Sequence, residues 1–229
     1  FVGVGQMARF AEIVNTARQS QKPLTDIQPP HHRWAEVTTR LRSRTPWSAY
    51  LKISEGCDHQ CTFCTIPSFR GRHVSKPIER VLEEARWLAQ NGAKELNLIA
   101  QDTTQYGYDL YRRCMLPDLL RELAQVEGVR WIRIHYAYPS RVSDQLIETM
   151  ASLPQVVPYL DVPLQHVNRD ILRAMRRPGS GATYLRMIER LRTAMPEIAI
   201  RTTFIVGFPG ETEAQFQELL EFLQQARLD

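Results

Sequence analysis

The stretch Tyr50-Leu51-Lys52-Ile53-Ser54-Glu55-Gly56-Cys57-Asp58-His59-Gln60-Cys61-Thr62-Phe63-Cys64 runs from a short apolar segment into a loop holding three of the chain's four cysteines. Tyr50 to Ile53 reads as a strand, and the cysteine loop follows it directly. Thiolates bind soft or borderline metals, and close spacing on one loop lets several reach one centre. Three readings fit the spacing C-x3-C-x2-C. A structural zinc site would need a fourth ligand, with His59 or Cys114 as candidates. A helical stripe of small buried hydrophobes would place residues 57, 61 and 64 on one face, which Gly56 and the polar Asp58, His59 and Gln60 fit poorly. An iron–sulfur cluster with three protein ligands would leave one iron open for chemistry.

Outward from the loop, the chain alternates. Pro77 opens a helical pattern with Val81, Leu82, Ala85, Leu88 and Ala89 on one face, stopped by Asn91-Gly92. Leu96 to Ala100 reads as a strand, and Pro117 opens a helix carrying Leu119, Leu120 and Leu123. Trp131 to Tyr136 is a strand, and Ser143 caps a helix through Leu146, Ile147 and Met150. Tyr159 to Val162 is a strand, followed by a short helix (Ile171, Leu172, Met175) and a longer one (Tyr184, Ile188, Leu191, Met195). Ile198 to Val206 is a strand, and Thr212 to Gln215 is a capping box opening a last helix. Five strand–helix units in a row predict an α/β fold with a parallel sheet and right-handed crossovers. A closed eight-unit barrel needs roughly 250 residues. Periodicity does not separate an open doubly wound sheet from a partial barrel. Either way, functional groups belong in the loops at the C-terminal ends of the strands.

Composition narrows the classes. The 229 residues are 43% hydrophobic and 24% charged, which excludes disordered, collagen-like and low-complexity chains. No apolar run approaches the ~18 residues of a membrane span. The opening Phe1-Val2-Gly3-Val4-Gly5 has neither an initiator Met nor a signal-peptide pattern. It reads as an internal cut, so the chain is expected to be a fragment. Residues 1–48 hold 7 Lys/Arg against 3 Asp/Glu, whereas residues 49–229 hold 22 of each. The main body is therefore not a general polyanion-binding surface. The basic front (Arg33, Arg40, Arg42, Arg44) has two readings, a contact with nucleic acid and a solvated linker, of which the linker is the one expected. Residues 1–20 look like the end of a helix with Phe10, Ile13 and Val14 on one side. Residues 21–33, with Pro23, Pro29 and Pro30, read as linker. Clustered cysteines without a dense disulfide framework point to reduced thiols and a cytoplasmic protein.

The cysteine loop resembles the signature of the radical S-adenosylmethionine (SAM) superfamily, with an aromatic, Phe63, just before the last Cys. The wider context, Leu51 to Cys57, Cys61 to Pro67, Arg70-Gly71 and Phe204-Ile205-Val206-Gly207-Phe208-Pro209-Gly210-Glu211-Thr212, resembles its methylthiotransferase family. The likeness runs from about Ala49 to the end. Gln101-Asp102-Thr103-Thr104-Gln105-Tyr106-Gly107, Pro163-Leu164-Gln165-His166 and Met175 to Ser180 resemble the RimO-like branch rather than the tRNA-acting, MiaB-like branch.

The resemblance implies a partial (β/α) TIM-type barrel, truncated before the sixth strand. Residues 1–48 would be the tail of an N-terminal methylthiotransferase domain plus linker, and 49–229 the radical SAM core. It implies Cys57, Cys61 and Cys64 as ligands of a 4Fe-4S cluster whose open iron binds SAM. The reaction implied is methylthiolation at the β-carbon of an aspartate in ribosomal small-subunit protein twelve. An electron donor of flavodoxin or ferredoxin type is implied, nucleic acid is not required, and no acid–base pair is needed. Phe63 would pack beside the adenine. Gln101 would meet the SAM amino group, and Gln165 and His166 sit in the layer facing SAM. Arg177 and Arg201 would pair with its carboxylate, and Val206-Gly207 would approach the adenine with backbone. Cys114 matches nothing in the pattern. A second 4Fe-4S cluster is expected only on the N-terminal domain, since residues 1–48 hold no cysteine. The chain alone is therefore expected not to complete the reaction. The rivals are a tRNA methylthiotransferase and a zinc-stabilised, non-enzymatic binding module.

Overall fold

A computed structural model describes residues 1–20, 23–28 and 45–229. The basic run Arg33 to Arg44 and most of the linker reading lie outside the described residues. In the front segment, α1 (Phe10–Ser20) buries Ile13, while Phe10 and Val14 remain exposed, so the expected apolar side narrows to one residue.

Beyond it, short elements alternate. The strands are β1 (Ser48–Lys52), β2 (Ser54–Glu55), β3 (Val74–Ser75), β4 (Glu95–Ile99), β5 (Trp131–Ile134), β6 (Val156–Asp161) and β7 (Ala199–Arg201). The helices are α2 (Ile66–Arg70), α3 (Ile78–Gln90), α4 (Tyr108–Tyr111), α5 (Leu116–Ala124), α6 (Asp144–Ser152), α7 (Arg169–Ala174), α8 (Gly181–Ala194) and α9 (Glu213–Ala226). Local chemistry sets several boundaries. Ser143 accepts from the Leu146 N–H to start α6. The capping boxes Ser180/Thr183 and Thr212/Gln215 open α8 and α9.

Among the described residues, β1, β4, β5, β6 and β7 form a parallel sheet in that order. Each new strand lies beside its predecessor in the chain. A doubly wound sheet reverses direction partway; sequential order is the winding of a barrel. Five strands leave that barrel partial. The last strand is shorter than the sequence indicates. β7 covers Ala199–Arg201, and pairing then thins to a single bridge between Gln165 and Phe204.

One face of the sheet is the core. Leu51, Leu96, Leu98, Ile132, Ile134, Leu160 and Ile200 are buried there beneath the crossover helices. Parallel sheets are usually apolar on both faces, but the opposite face here is a polar ladder. Asn97 Nδ2 donates to Ser48 Oγ at 2.9 Å, Arg133 Nε to Glu95 Oε1 at 2.8 Å, and Arg201 Nη1 to Asp161 Oδ2 at 3.0 Å. No helix among the described residues is long and apolar enough to cross a membrane.

Candidate active site

The strands' C-terminal ends converge on one solvent-open cleft of about 140 Å3. Its lining includes Cys57, Cys61, Phe63 and Cys64 from the loop after β1, and Gln101 from the end of β4. Tyr136 and Tyr138 follow β5, while Pro163 and Gln165 follow β6. Arg177 reaches in from beyond α7.

The cysteine loop is fastened on three sides. The two-stranded β2–β3 pair brackets it, and Cys57 N–H donates to the Gly71 carbonyl at 3.1 Å. Gly56, at φ 79°, is what permits this approach, since a Cβ there would stand 2.1 Å from the Arg72 carbonyl oxygen. Asp58 accepts from the His73 N–H at 3.2 Å and from Gln105 Nε2 at 2.8 Å. On the far side, the Thr62 N–H donates to the Met175 carbonyl at 3.2 Å and Thr62 Oγ1 to the Ala174 carbonyl at 2.9 Å. The loop thus sits between the first strand–helix unit and the end of α7.

His59 Nε2 is committed to Asp102 Oδ2 at 2.8 Å, and its ring stacks on Tyr138 with centroids 3.7 Å apart. Cys114 lies outside the cleft, with Arg141 Nη1 3.6 Å from its sulfur. Of the two fourth ligands of the zinc reading, Cys114 lies away from the three thiols, and His59 lines their cleft with its Nε2 turned to Asp102. As the side chains stand, no group of three or more His, Cys, Asp or Glu among the described residues is drawn together to hold a metal ion. Burial pushes the Cys57 thiol up to about 11. A metal ion binds the thiolate, so loading this site must displace that proton.

Two buried polar atoms on the cleft's residues have no protein partner: Gln101 Oε1 and Arg177 Nε. Gln101 is oriented by its other end, where Nε2 donates to Glu55 Oε1 at 2.9 Å. Burial opposes ionisation of Glu55, but hydrogen bonds from Lys52 and Arg70 outweigh it and hold the carboxyl below its usual range. Arg177 lies over the Tyr138 ring at 4.5 Å, donates through Nη2 to the Pro163 carbonyl at 2.7 Å, and has Nη1 3.7 Å from Cys61 Sγ. Gln165 takes φ 74°, a strained value for a residue with a side chain, held by backbone bonds to Thr203 and Ile205. Such strain is found where a chain must aim a group.

The remaining expected residues lie apart from the cleft's lining. Arg201 is tied to Asp161 and more than half exposed. Val206 is exposed, and Gly207 has open space around it. His166 is fully buried. Its Nδ1 accepts from the Asn168 N–H, which leaves Nε2 to donate to Glu211 Oε1 at 3.2 Å, so it pins the 206–211 loop. Sequence reading gives no role to Tyr136, read as the end of a strand, or to Tyr138, and Asp102 enters only as part of the motif that starts at Gln101. For the two tyrosines the visible signal is position at or just after the end of β5.

The barrel winding and the cysteine-lined cleft at its C-terminal edge define a class, and the sequence comparison names it. The family model of the radical SAM superfamily matches residues 51–223, and the chain belongs to that superfamily. Over its full length it is similar to the ribosomal protein uS12 methylthiotransferase RimO of Moorella thermoacetica, at 53% identity, covering 52% of that relative. The RimO of Symbiobacterium thermophilum is 49% identical over 228 residues, 47% of its length. The chain spans about half the length of the curated relatives it matches. Among solved structures, the radical SAM methyltransferase TsrM of Kitasatospora setae superposes with a TM-score of 0.67 over 81% of this chain and 35% of that one. At 15% identity it supports the fold alone.

Proposed function

We propose that residues 49–229 are the radical SAM core of a RimO-type methylthiotransferase, acting on the β-carbon of an aspartate in ribosomal protein uS12. The observation carrying the reading is that Cys57, Cys61 and Cys64 line one cleft with two orphaned polar groups, on a chain similar throughout to RimO enzymes.

In this reading Cys57, Cys61 and Cys64 would hold a 4Fe-4S cluster at the floor of the cleft where SAM would bind. When bound, that cluster and SAM would supply the one-electron chemistry that activates an otherwise unreactive C–H bond. The chain's own residues bind and orient. Gln101 Oε1 is an acceptor fixed by Glu55 and suited to the SAM amino group. Arg177 has an unspent Nε for the carboxylate. Phe63 and Tyr136, both partly exposed in the cleft, offer apolar walls for the adenosyl group. Tyr138 and His59, stacked on each other, form a flat wall of the cleft beside the thiols. Residues 1–48 hold no cysteine to ligate a second, sulfur-handling cluster.

The test is anaerobic reconstitution with iron and sulfide, then assay for 5′-deoxyadenosine with this chain and for methylthiolated uS12 with the full-length enzyme. Product on tRNA instead would move the chain to the other branch. Colourless protein with stoichiometric zinc would reject the reading.

A further inference from the structure

The end of α7 concentrates positive charge that the cleft does not use. Arg169 and Arg173 stand about one turn apart on α7, and Arg176 and Arg177 follow its end. With Pro178 and Gly179 they line a second hollow. Arg169, Arg173 and Arg176 are exposed, and the acidic side chain paired among them is Asp170, which accepts from Arg173 Nη1 at 2.7 Å. The body of the protein balances its charges, so this patch is a local departure rather than a general basic surface.

The patch is joined to the cysteine loop. Arg176 adopts φ 54°, a left-handed value uncommon for a residue with a side chain. Its N–H donates to the Arg173 carbonyl, and the next N–H to the Leu172 carbonyl. This reversal parts two consecutive guanidiniums. Arg176 stays in solvent, while Arg177 lines the cleft with Nη1 3.7 Å from Cys61 Sγ. Arg177 borders both hollows. Thr62 adds two hydrogen bonds to the same helix end. A partner seated on these arginines would sit against the back of the cysteine loop.

We infer that Arg169, Arg173 and Arg176 form the docking surface for a small acidic protein that delivers single electrons to the cysteine site. The inference rests on the proposed role of Cys57, Cys61 and Cys64. Charge complementarity selects the occupant: a patch of one sign beside a redox centre speeds encounter with a carrier of the other sign. Electron-transfer contacts are small, below about 1,200 Å2, so a few arginines suffice. A long polyanion would want a continuous basic track, which the neutral body does not supply. In the step itself, one electron leaves the reduced carrier and enters the cluster. The carrier is oxidised by one electron, and no bond is made or broken.

The experiment titrates FMN-loaded flavodoxin onto the iron–sulfur-loaded protein at low and high salt, with calorimetric readout. The variant Arg169→Gln/Arg173→Gln/Arg176→Gln should raise Kd at least tenfold at low salt and flatten its salt dependence. The corresponding triple Lys variant should retain most of the affinity. Equal Kd for wild type and the Gln variant, or no flavodoxin binding by wild type, overturns the inference. Patch-dependent binding of single-stranded RNA with none of flavodoxin also overturns it. Dithionite needs no docking surface, so 5′-deoxyadenosine formed with dithionite should be equal in wild type and the Gln variant, while the flavodoxin-driven rate falls. Failure of the dithionite reaction in wild type would refute the proposed function, and the binding titration would still judge the surface.

Discussion

His59 Nε2 lies 2.8 Å from Asp102 Oδ2, although 43 residues separate the two in the chain. Asp102 is buried and also accepts the N–H groups of Thr104 and Gln105, at 2.9 and 3.2 Å. One carboxylate therefore shapes the turn after β4 and anchors the middle of the cysteine loop. Replacing His59 by Phe keeps a ring against Tyr138 but leaves Asp102 Oδ2 without its donor. The expected cost is about 1–3 kcal/mol of stability. Urea unfolding would show it as a lower midpoint, and an unchanged midpoint would mean the contact carries no weight.

The thiols predict a sharp division. Cys57→Ala, Cys61→Ala and Cys64→Ala, each reconstituted with iron and sulfide, should lose the brown colour and bound iron. Cys114→Ala should keep both, because its sulfur lies outside the cleft. Iron retained in any of the first three, or lost in the fourth, contradicts the ligand assignment.

Two left-handed glycines should respond differently to alanine. At Gly56 an added Cβ meets a backbone carbonyl at 2.1 Å, so Gly56→Ala should cost more than about 2 kcal/mol and loosen the cysteine loop. At Gly207, φ 73°, nothing stands within 4 Å, and the cost should be only the conformational ~1–2 kcal/mol. Paired thermal melts check the order.

His73 sets a pH dependence. Burial lowers its pKa, and Nδ1 has no partner. The unfolded chain takes up a proton near the ordinary value of ~6.5 while the folded chain does not, so the unfolded state binds more protons. Its contribution to stability is therefore present at neutral pH and lost as pH falls through the ordinary His range. His73→Leu should flatten that part of the profile between about pH 7 and about pH 5. A slope identical to wild type in urea titrations would reject the account.

The comparison of sequence with structure divides along distance in the chain. Capping by Ser143 and Thr212, the apolar face of α3 and the C-x3-C-x2-C loop were legible, because each depends on residues three to seven apart. The end of β7 was not. The apolar run Ile198 to Val206 reads as one strand, yet pairing requires a neighbour, and β6 offers one only as far as Asp161 before the chain turns at Gln165.

Sequence alone determined the alternation of strands and helices and the clustered thiols, since propensity, capping and spacing are local properties. Tertiary structure decided that the strands lie in chain order, which makes a partial barrel rather than a reversing sheet. It also brought Arg177 beside Cys61 across 116 residues and His59 beside Asp102. Those meetings follow from which apolar faces bury against one another. That choice is made by the whole packed core and leaves no mark on any single stretch of sequence.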